Sequence, residues 1–277
     1  MRVGLRVALT ALLAASTIGA CASERDVTEP ASDNPQRITY GDDPSQFVDL
    51  WLPTNTSTAL PVVVLIHGGF WRAQYGLDLM NPLAEDLIAR GFAVLNIEYR
   101  RVGSGGGYPE TLQDVAAGID LLAAQSVAVD LEDVVLIGHS AGGHLALWAG
   151  SRSALQPGAP GADPLVVPRL AIGLGPVFDL AAGDEAQVGS GAVTDFMGGA
   201  ASDLPDEYAI ATPTAAAGVP LVVVRGALDD VVPARFAVPT PIGDVTVVDI
   251  ADEDHFDLID PASDSWVQVV RLLNGAR

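Results

Sequence analysis

The residues best placed to do chemistry stand where apolar runs end. Gly138-His139-Ser140-Ala141-Gly142 follows the run Val134 to Ile137 and opens a helical stretch from about Ala141 to Gly150. A hydroxyl on so tight a strand-to-helix turn is exposed for attack, and glycines at 138 and 142 fit the crowding, since side chains there would meet neighbouring backbone. Ser140 is therefore the candidate nucleophile, the competing reading being a serine that only caps the helix. Such a hydroxyl needs a base to take its proton and a fixed acid to orient that base. His255 lies in Asp252-Glu-Asp-His-Phe-Asp257, directly after the last strand-like run. The other histidines are His67, His139 and His144; His139 sits on a turn expected to direct its side chain away from Ser140, and His144 lies one helical turn further on. Both fit packing or polar networks better than catalysis. Asp229 follows the run Leu221 to Val224, and its spacing to Pro233 favours it over its neighbour Asp230 as the orienting acid.

Attack on a carbonyl also creates an oxyanion, which needs backbone N–H donors aimed at it. His67-Gly68-Gly69-Phe70-Trp71 follows the run Val62 to Ile66, and its glycines let backbone approach a substrate without an intervening Cβ. Gly68, Gly69 or Phe70 is expected to supply one or two donors, and Ala141 another. Trp71, Tyr75, Phe196 and Met197 are candidates, with Phe70, for the substrate pocket.

The elements that must position these residues alternate. Strand-like runs at Gln46 to Leu52, Pro61 to Ile66, Phe92 to Glu98, Val134 to Ile137, Leu170 to Leu174, Leu221 to Val224 and Val245 to Ile250 are separated by helical segments at Leu77 to Arg90, Pro109 to Gln125 and Ala141 to Gly150, with a closing helix at Pro261 to Leu273. This is the pattern of an α/β fold with a mostly parallel sheet. The Gly-, Ala- and Asp-rich stretch Phe178 to Gly218 reads as a small insertion over the active edge of the sheet.

Composition removes whole classes of function. The chain has 277 residues, 49% hydrophobic and 18% charged, with 35 acids against 14 bases, all of them Arg, for a formal charge of −21. Disorder is excluded, and such a surface repels nucleic acid and anionic lipid headgroups. One cysteine rules out an internal disulfide or a multi-thiolate metal site, and no other ligand cluster or cofactor motif is visible, so neither metal nor cofactor is expected. Residues 1–20 carry Arg2 and Arg6, then an apolar run from Val7 to Ile18, then Gly19 and Ala20 before Cys21. That order reads as a signal peptide, and Cys21 as a lipidation site that anchors an exported cell-envelope lipoprotein. Residues 22–36 read as a flexible tether and 37–277 as the catalytic domain; the only membrane contact expected is the lipid, and oligomeric state is not legible.

Between Gln46 and Leu273 these residues resemble the α/β-hydrolase carboxylesterases of the hormone-sensitive-lipase-like and feruloyl-esterase-like groups, and among them the serine-type kynurenine formamidases. The anchors are Val48-Asp-Leu-Trp-Leu-Pro53, His67-Gly-Gly-Phe-Trp71, Glu98-Tyr-Arg-Arg101, Gly138-His-Ser-Ala-Gly-Gly-His144, Asp229-Asp-Val-Val-Pro233 and Asp254-His-Phe-Asp257. The resemblance implies an α/β-hydrolase fold with eight strands and helices on both faces, a triad of Ser140, Asp229 and His255, and an oxyanion hole from the Gly68 to Phe70 loop and Ala141. It also implies hydrolysis of small acyl or aryl esters through an acyl-enzyme, with formamide hydrolysis as the alternative. An aromatic residue replaces the third glycine found in many lipase-like loops, a feature shared with the formamidase branch, whereas export favours an external ester. A non-catalytic surface binding protein on the same scaffold is the alternative from another class.

Overall fold

The structure, a computed structural model, describes residues 35–54, 59–124, 129–239 and 244–275. The expected signal segment, Cys21 and all of the expected tether except Pro35 and Gln36 lie outside the described residues.

One sheet contains β1 (Gln36–Thr39), β2 (Phe47–Trp51), β3 (Leu60–Ile66), β4 (Ala93–Ile97), β5 (Val129–His139), β6 (Leu170–Leu174), β7 (Leu221–Gly226) and β8 (Val245–Ile250), in the order β1-β2-β4-β3-β5-β6-β7-β8. β2 runs antiparallel to both of its neighbours, and every pairing from β4 across to β8 is parallel. The helices are α1 (Asn81–Ala89), α2 (Glu110–Asp120), α3 (Ala141–Gly150), α4 (Leu180–Glu185), α5 (Ala192–Met197), α6 (Pro205–Ala211) and α7 (Asp264–Gly275).

β3 shows why the sheet is buried on both faces. Val62, Val64 and Ile66 join one core cluster and Val63 and Leu65 the other, the period-two division of a continuous β-branched run. On one face α1 and α7 deliver Leu83, Leu87, Trp266, Val269 and Leu273; on the other, α2 and α3 deliver Leu112, Val115, Ile119, Leu145 and Trp148, all essentially inaccessible. Each aliphatic side chain so buried contributes about 1.5–3 kcal/mol.

Local chemistry moves several expected boundaries. A 3-10 turn over Leu77–Met80 precedes α1, whose first turn holds a proline, a position where the missing N–H costs nothing. The helix expected to run on to Gln125 ends at Asp120 and continues as a 3-10 turn, Leu121–Ala124. α7 begins at Asp264 because the Ser263 hydroxyl accepts the Trp266 N–H at 3.0 Å, a side-chain cap on the first turn.

The parallel registers carry the site. Ile66 pairs with Gly138, His139 with Leu174, and Gly226 with Ile250, so the chain leaves β3, β5, β6, β7 and β8 along a single edge. In open α/β sheets that carboxyl edge is where ligands bind.

Candidate active site

Ser140 sits between β5 and α3 with φ 55° and ψ −120°, a backbone state that costs of order 1–3 kcal/mol and persists only where the surroundings enforce it. They do so by contact. A Cβ on Gly138 would lie 1.9 Å from the Gly142 carbonyl oxygen, and one on Gly142 would lie 2.2 Å from that of Ile66. A Cβ on Gly68 would come within 2.9 Å of the Ser140 Cβ, so the loop after β3 presses directly on Ser140.

Asp229 and His255 meet across the ends of β7 and β8. The Asp229 Oδ1 accepts the Val231 and Val232 N–H groups at 3.0 and 2.8 Å, leaving Oδ2 to accept from His255 Nδ1 at 2.7 Å. Both side chains are about 3% exposed. Donation from Nδ1 leaves Nε2 as the lone-pair nitrogen, the tautomer a general base requires. Gly175, after β6, makes room for this pair: a Cβ there, at φ 53°, would stand 3.1 Å from both Asp229 Oδ2 and His255 Nδ1. It is Asp229, not its neighbour Asp230, whose carboxylate is hydrogen-bonded to the histidine.

His139 is closer to the centre than its sequence position suggests. Its ring centroid lies 4.5 Å from that of His255, and its Nε2 donates to the His255 carbonyl at 2.9 Å. Burial, reinforced by the neighbouring His255, lowers its pKa to about 3, so it holds the His255 loop as a neutral ring. His144 is buried against Trp71 and Phe196, donates to the Ala211 carbonyl at 2.8 Å, and is lowered by burial to about 4.

The loop after β3 bends through three successive positive-φ residues, Gly69 at 109°, Phe70 at 55° and Trp71 at 53°. Polar contacts hold its base. His67 Nε2 meets Glu98 Oε1 at 3.0 Å, its Nδ1 meets the Gly68 carbonyl at 2.8 Å, its carbonyl accepts the Tyr99 hydroxyl at 2.7 Å, and its ring stacks on Tyr99 at 4.4 Å. Burial pushes the Glu98 carboxyl up, but His67, Arg101 and the Tyr99 N–H outweigh it and hold the group below the usual carboxylate range.

Ser140, His139 and His255 line a narrow cleft of about 70 Å³. Its walls are Gly69 and the apolar side chains of Phe70, Tyr75, Leu79, Val231, Phe256 and Ile259, with Tyr75 and Phe256 exposed at the rim. Gly68 and Ala141 adjoin Ser140 in space and in sequence respectively. Three pocket expectations are corrected. Trp71, Phe196 and Met197 do not line this cleft; all three are buried, with Trp71 stacked on Phe196 at 4.7 Å in the core. The left-handed turn at Phe70–Trp71 sends successive rings to different sides, one to the cleft and one to the core. The stretch 178–218 follows β6 from the same sheet edge, as expected of the insertion, but none of its residues lines the cleft; it packs against the loop, where a Cβ on Gly189 would strike the Phe70 ring at 2.4 Å. Gly175 carries no signal of its own in the sequence, and Glu98, Tyr99 and Arg101 carry none beyond the Glu98-Tyr-Arg-Arg101 motif.

Comparison with known proteins agrees with this architecture. The BD-FAE family model matches residues 48–238. Esterase LipC of Mycobacterium tuberculosis is 34% identical over 125 residues, 42% of this chain and 29% of that protein. Kynurenine formamidase of Danio rerio is 30% identical over 122 residues, 44% of this chain and 39% of its own length. The chain thus spans well under half the length of either relative. Among solved structures, a truncated carbohydrate esterase from gut microbiota superposes with a TM-score of 0.73 at 20% identity, covering 89% of this chain and 98% of the other. The chain belongs to the BD-FAE family and has the α/β-hydrolase fold.

Proposed function

We propose that the protein is a serine hydrolase that cleaves carboxylic esters of small, uncharged acyl or aryl groups through an acyl-enzyme. The observation that carries this reading is the Asp229–His255 hydrogen bond beside a nucleophile turn, with Ser140 and His255 lining one cleft. In the proposed cycle Ser140 Oγ attacks the ester carbonyl carbon as its proton passes to His255 Nε2. Backbone N–H groups of Ala141 and of the Gly68–Phe70 loop stabilise the oxyanion, and the positive end of α3 favours charge at the same place. The carbon–oxygen bond to the alcohol breaks as His255 returns the proton to the leaving oxygen. Water then repeats the sequence on the acyl-serine and frees the acid. Asp229 keeps the imidazole in its working tautomer and balances its transient charge.

The substrate class rests on what lines the cleft. Its walls are apolar and, among the described residues, carry no cationic side chain to pair with a substrate carboxylate. A kynurenine-formamidase-like activity is the second reading, favoured by the 30% identity to the Danio rerio enzyme; an amino-acid substrate would present a carboxylate to this uncharged wall, so ester cleavage is preferred.

Replacing Ser140 by Ala tests the centre. Alanine meets the same backbone strain at φ 55° as serine does, so the variant should melt like the parent while p-nitrophenyl acetate turnover falls by about 10⁴-fold or more, and labelling by a fluorophosphonate should vanish. Turnover retained at the parent's level would overturn the assignment.

A further inference from the structure

Glu98 lies at the carboxyl edge of β4, next to β3 in the sheet, because Ile66 and Ile97 are paired and the residues that follow them emerge side by side. Its carboxylate gathers four donors. Oε1 takes His67 Nε2 at 3.0 Å, the Tyr99 N–H at 3.0 Å and Arg101 Nη1 at 2.8 Å, while Oε2 takes the Leu77 N–H at 3.1 Å. Arg101 also donates to the Tyr75 carbonyl. One buried ion pair thus touches the base of the loop at His67, and both the residue that forms the cleft wall, Tyr75, and the chain just beyond it at Leu77.

A fold has no general need for this arrangement. Burying a charged pair costs several kcal/mol per ion in desolvation, and well-packed apolar residues of similar volume often serve stability as well or better. The loop, by contrast, has a need that apolar packing does not meet. Gly69, Phe70 and Trp71 all adopt left-handed backbone, which for two bulky aromatic residues is strained and must be imposed from outside. His67, at the start of the bend, has both ring nitrogens against acceptor oxygens, those of Gly68 and Glu98.

We propose that Glu98 is a positioning residue for the hydrolytic reaction: through His67 it fixes the N–H groups of the Gly68–Phe70 loop on the developing oxyanion, and through Leu77 and Arg101 it ties that loop to the Tyr75 wall. This rests on the acyl-transfer reading above. Glu98 touches no substrate, and its effect falls on the transition state, since the N–H groups matter most where negative charge has developed.

The test uses the full chain, p-nitrophenyl acetate as substrate and trifluoroacetophenone as an inhibitor that forms a tetrahedral adduct on the serine. Glu98→Gln should lower kcat ten- to a hundredfold with KM within threefold of the parent, and raise the Ki for the ketone by the same factor as kcat falls. Glu98→Asp, which restores the charge, should recover kcat to within tenfold of the parent. If Glu98→Gln does not fold, His67→Asn breaks the same link from the loop side and carries the same readouts. A folded variant with unchanged kcat and Ki, or one whose losses appear in KM alone, overturns the positioning role. Full turnover by Ser140→Ala would instead sink the acyl-transfer reading itself, so the two failures are separable.

Discussion

Two loops meet at the cleft, and they are held in place by different physics. The turn at 138–142 is fixed chiefly by steric contact, backbone against backbone, with no room for a methyl group on either glycine. The loop at 67–71 is fixed by hydrogen bonds, an ion pair and a stacked ring. Hard-sphere contact is all or none: it cannot be tuned, and it responds to no change of charge. Polar attachment is graded, because each bond contributes about 1 kcal/mol net and can be removed singly. In the proposed mechanism the Ser140 oxygen is thus set chiefly by exclusion, and the N–H donors of the other loop chiefly by attraction.

This contrast can be broken by substitution. On the steric side, Gly142→Ala should be severely damaging: its Cβ would fall 2.2 Å from the Ile66 carbonyl oxygen, so we expect a stability loss of about 3 kcal/mol and no measurable esterase activity. A variant that melts like the parent would show that the turn is softer than its contacts imply. On the polar side, Tyr99→Phe removes only the hydroxyl donated to the His67 carbonyl. We expect a loss of about 1 kcal/mol, seen as a fall of a few degrees in Tm, with kcat reduced less than tenfold. Complete inactivation would mean that the loop, too, is all or none.

The steric side has two charge-dependent elements, His139 within the turn and His144 just behind it. His144 on α3 is buried and held near pKa 4, below the ordinary 6.5 of a free histidine. Between those values an unfolded chain binds a proton that the folded chain does not, so stability from this group is complete above about pH 6.5 and declines as pH falls through the window, by up to about 1.4 kcal/mol per pH unit. His139, lowered to about 3, acts in the same direction. Melting temperature should drop between pH 7 and pH 5, and His144→Gln should shrink that drop; an undiminished drop in the variant would assign the acid sensitivity elsewhere.

What could be read from the sequence divides along sequence distance. β3 is legible because seven residues of local composition suffice, and Ser140, Asp229 and His255 because each follows an apolar run that ends at the same sheet edge. β1 was not placed: it has four residues, three of them exposed, and its strand character comes only from pairing with β2. Gly175 was missed because its closeness to Asp229 and His255 depends on β6 lying between β5 and β7, and Glu98 because its partnership with His67 depends on β4 pairing with β3. Adjacent aromatic residues misled for a related reason. Phe70 and Trp71 share composition and neighbourhood, and only the left-handed backbone decides which faces the cleft.

The contact between Gly189 and the Phe70 ring separates two properties that an enzyme must usually change together. The segment 187–191, with Gln187, Gly189, Ser190 and Gly191 all at positive φ, reaches the cleft only through the back of one ring. Lengthening it or giving it bulk is expected to tilt that ring and alter the depth of the cleft, while Ser140 and His255 stay on their own supports. The depth of the cleft thus depends on a position outside it, at the back of the Phe70 ring.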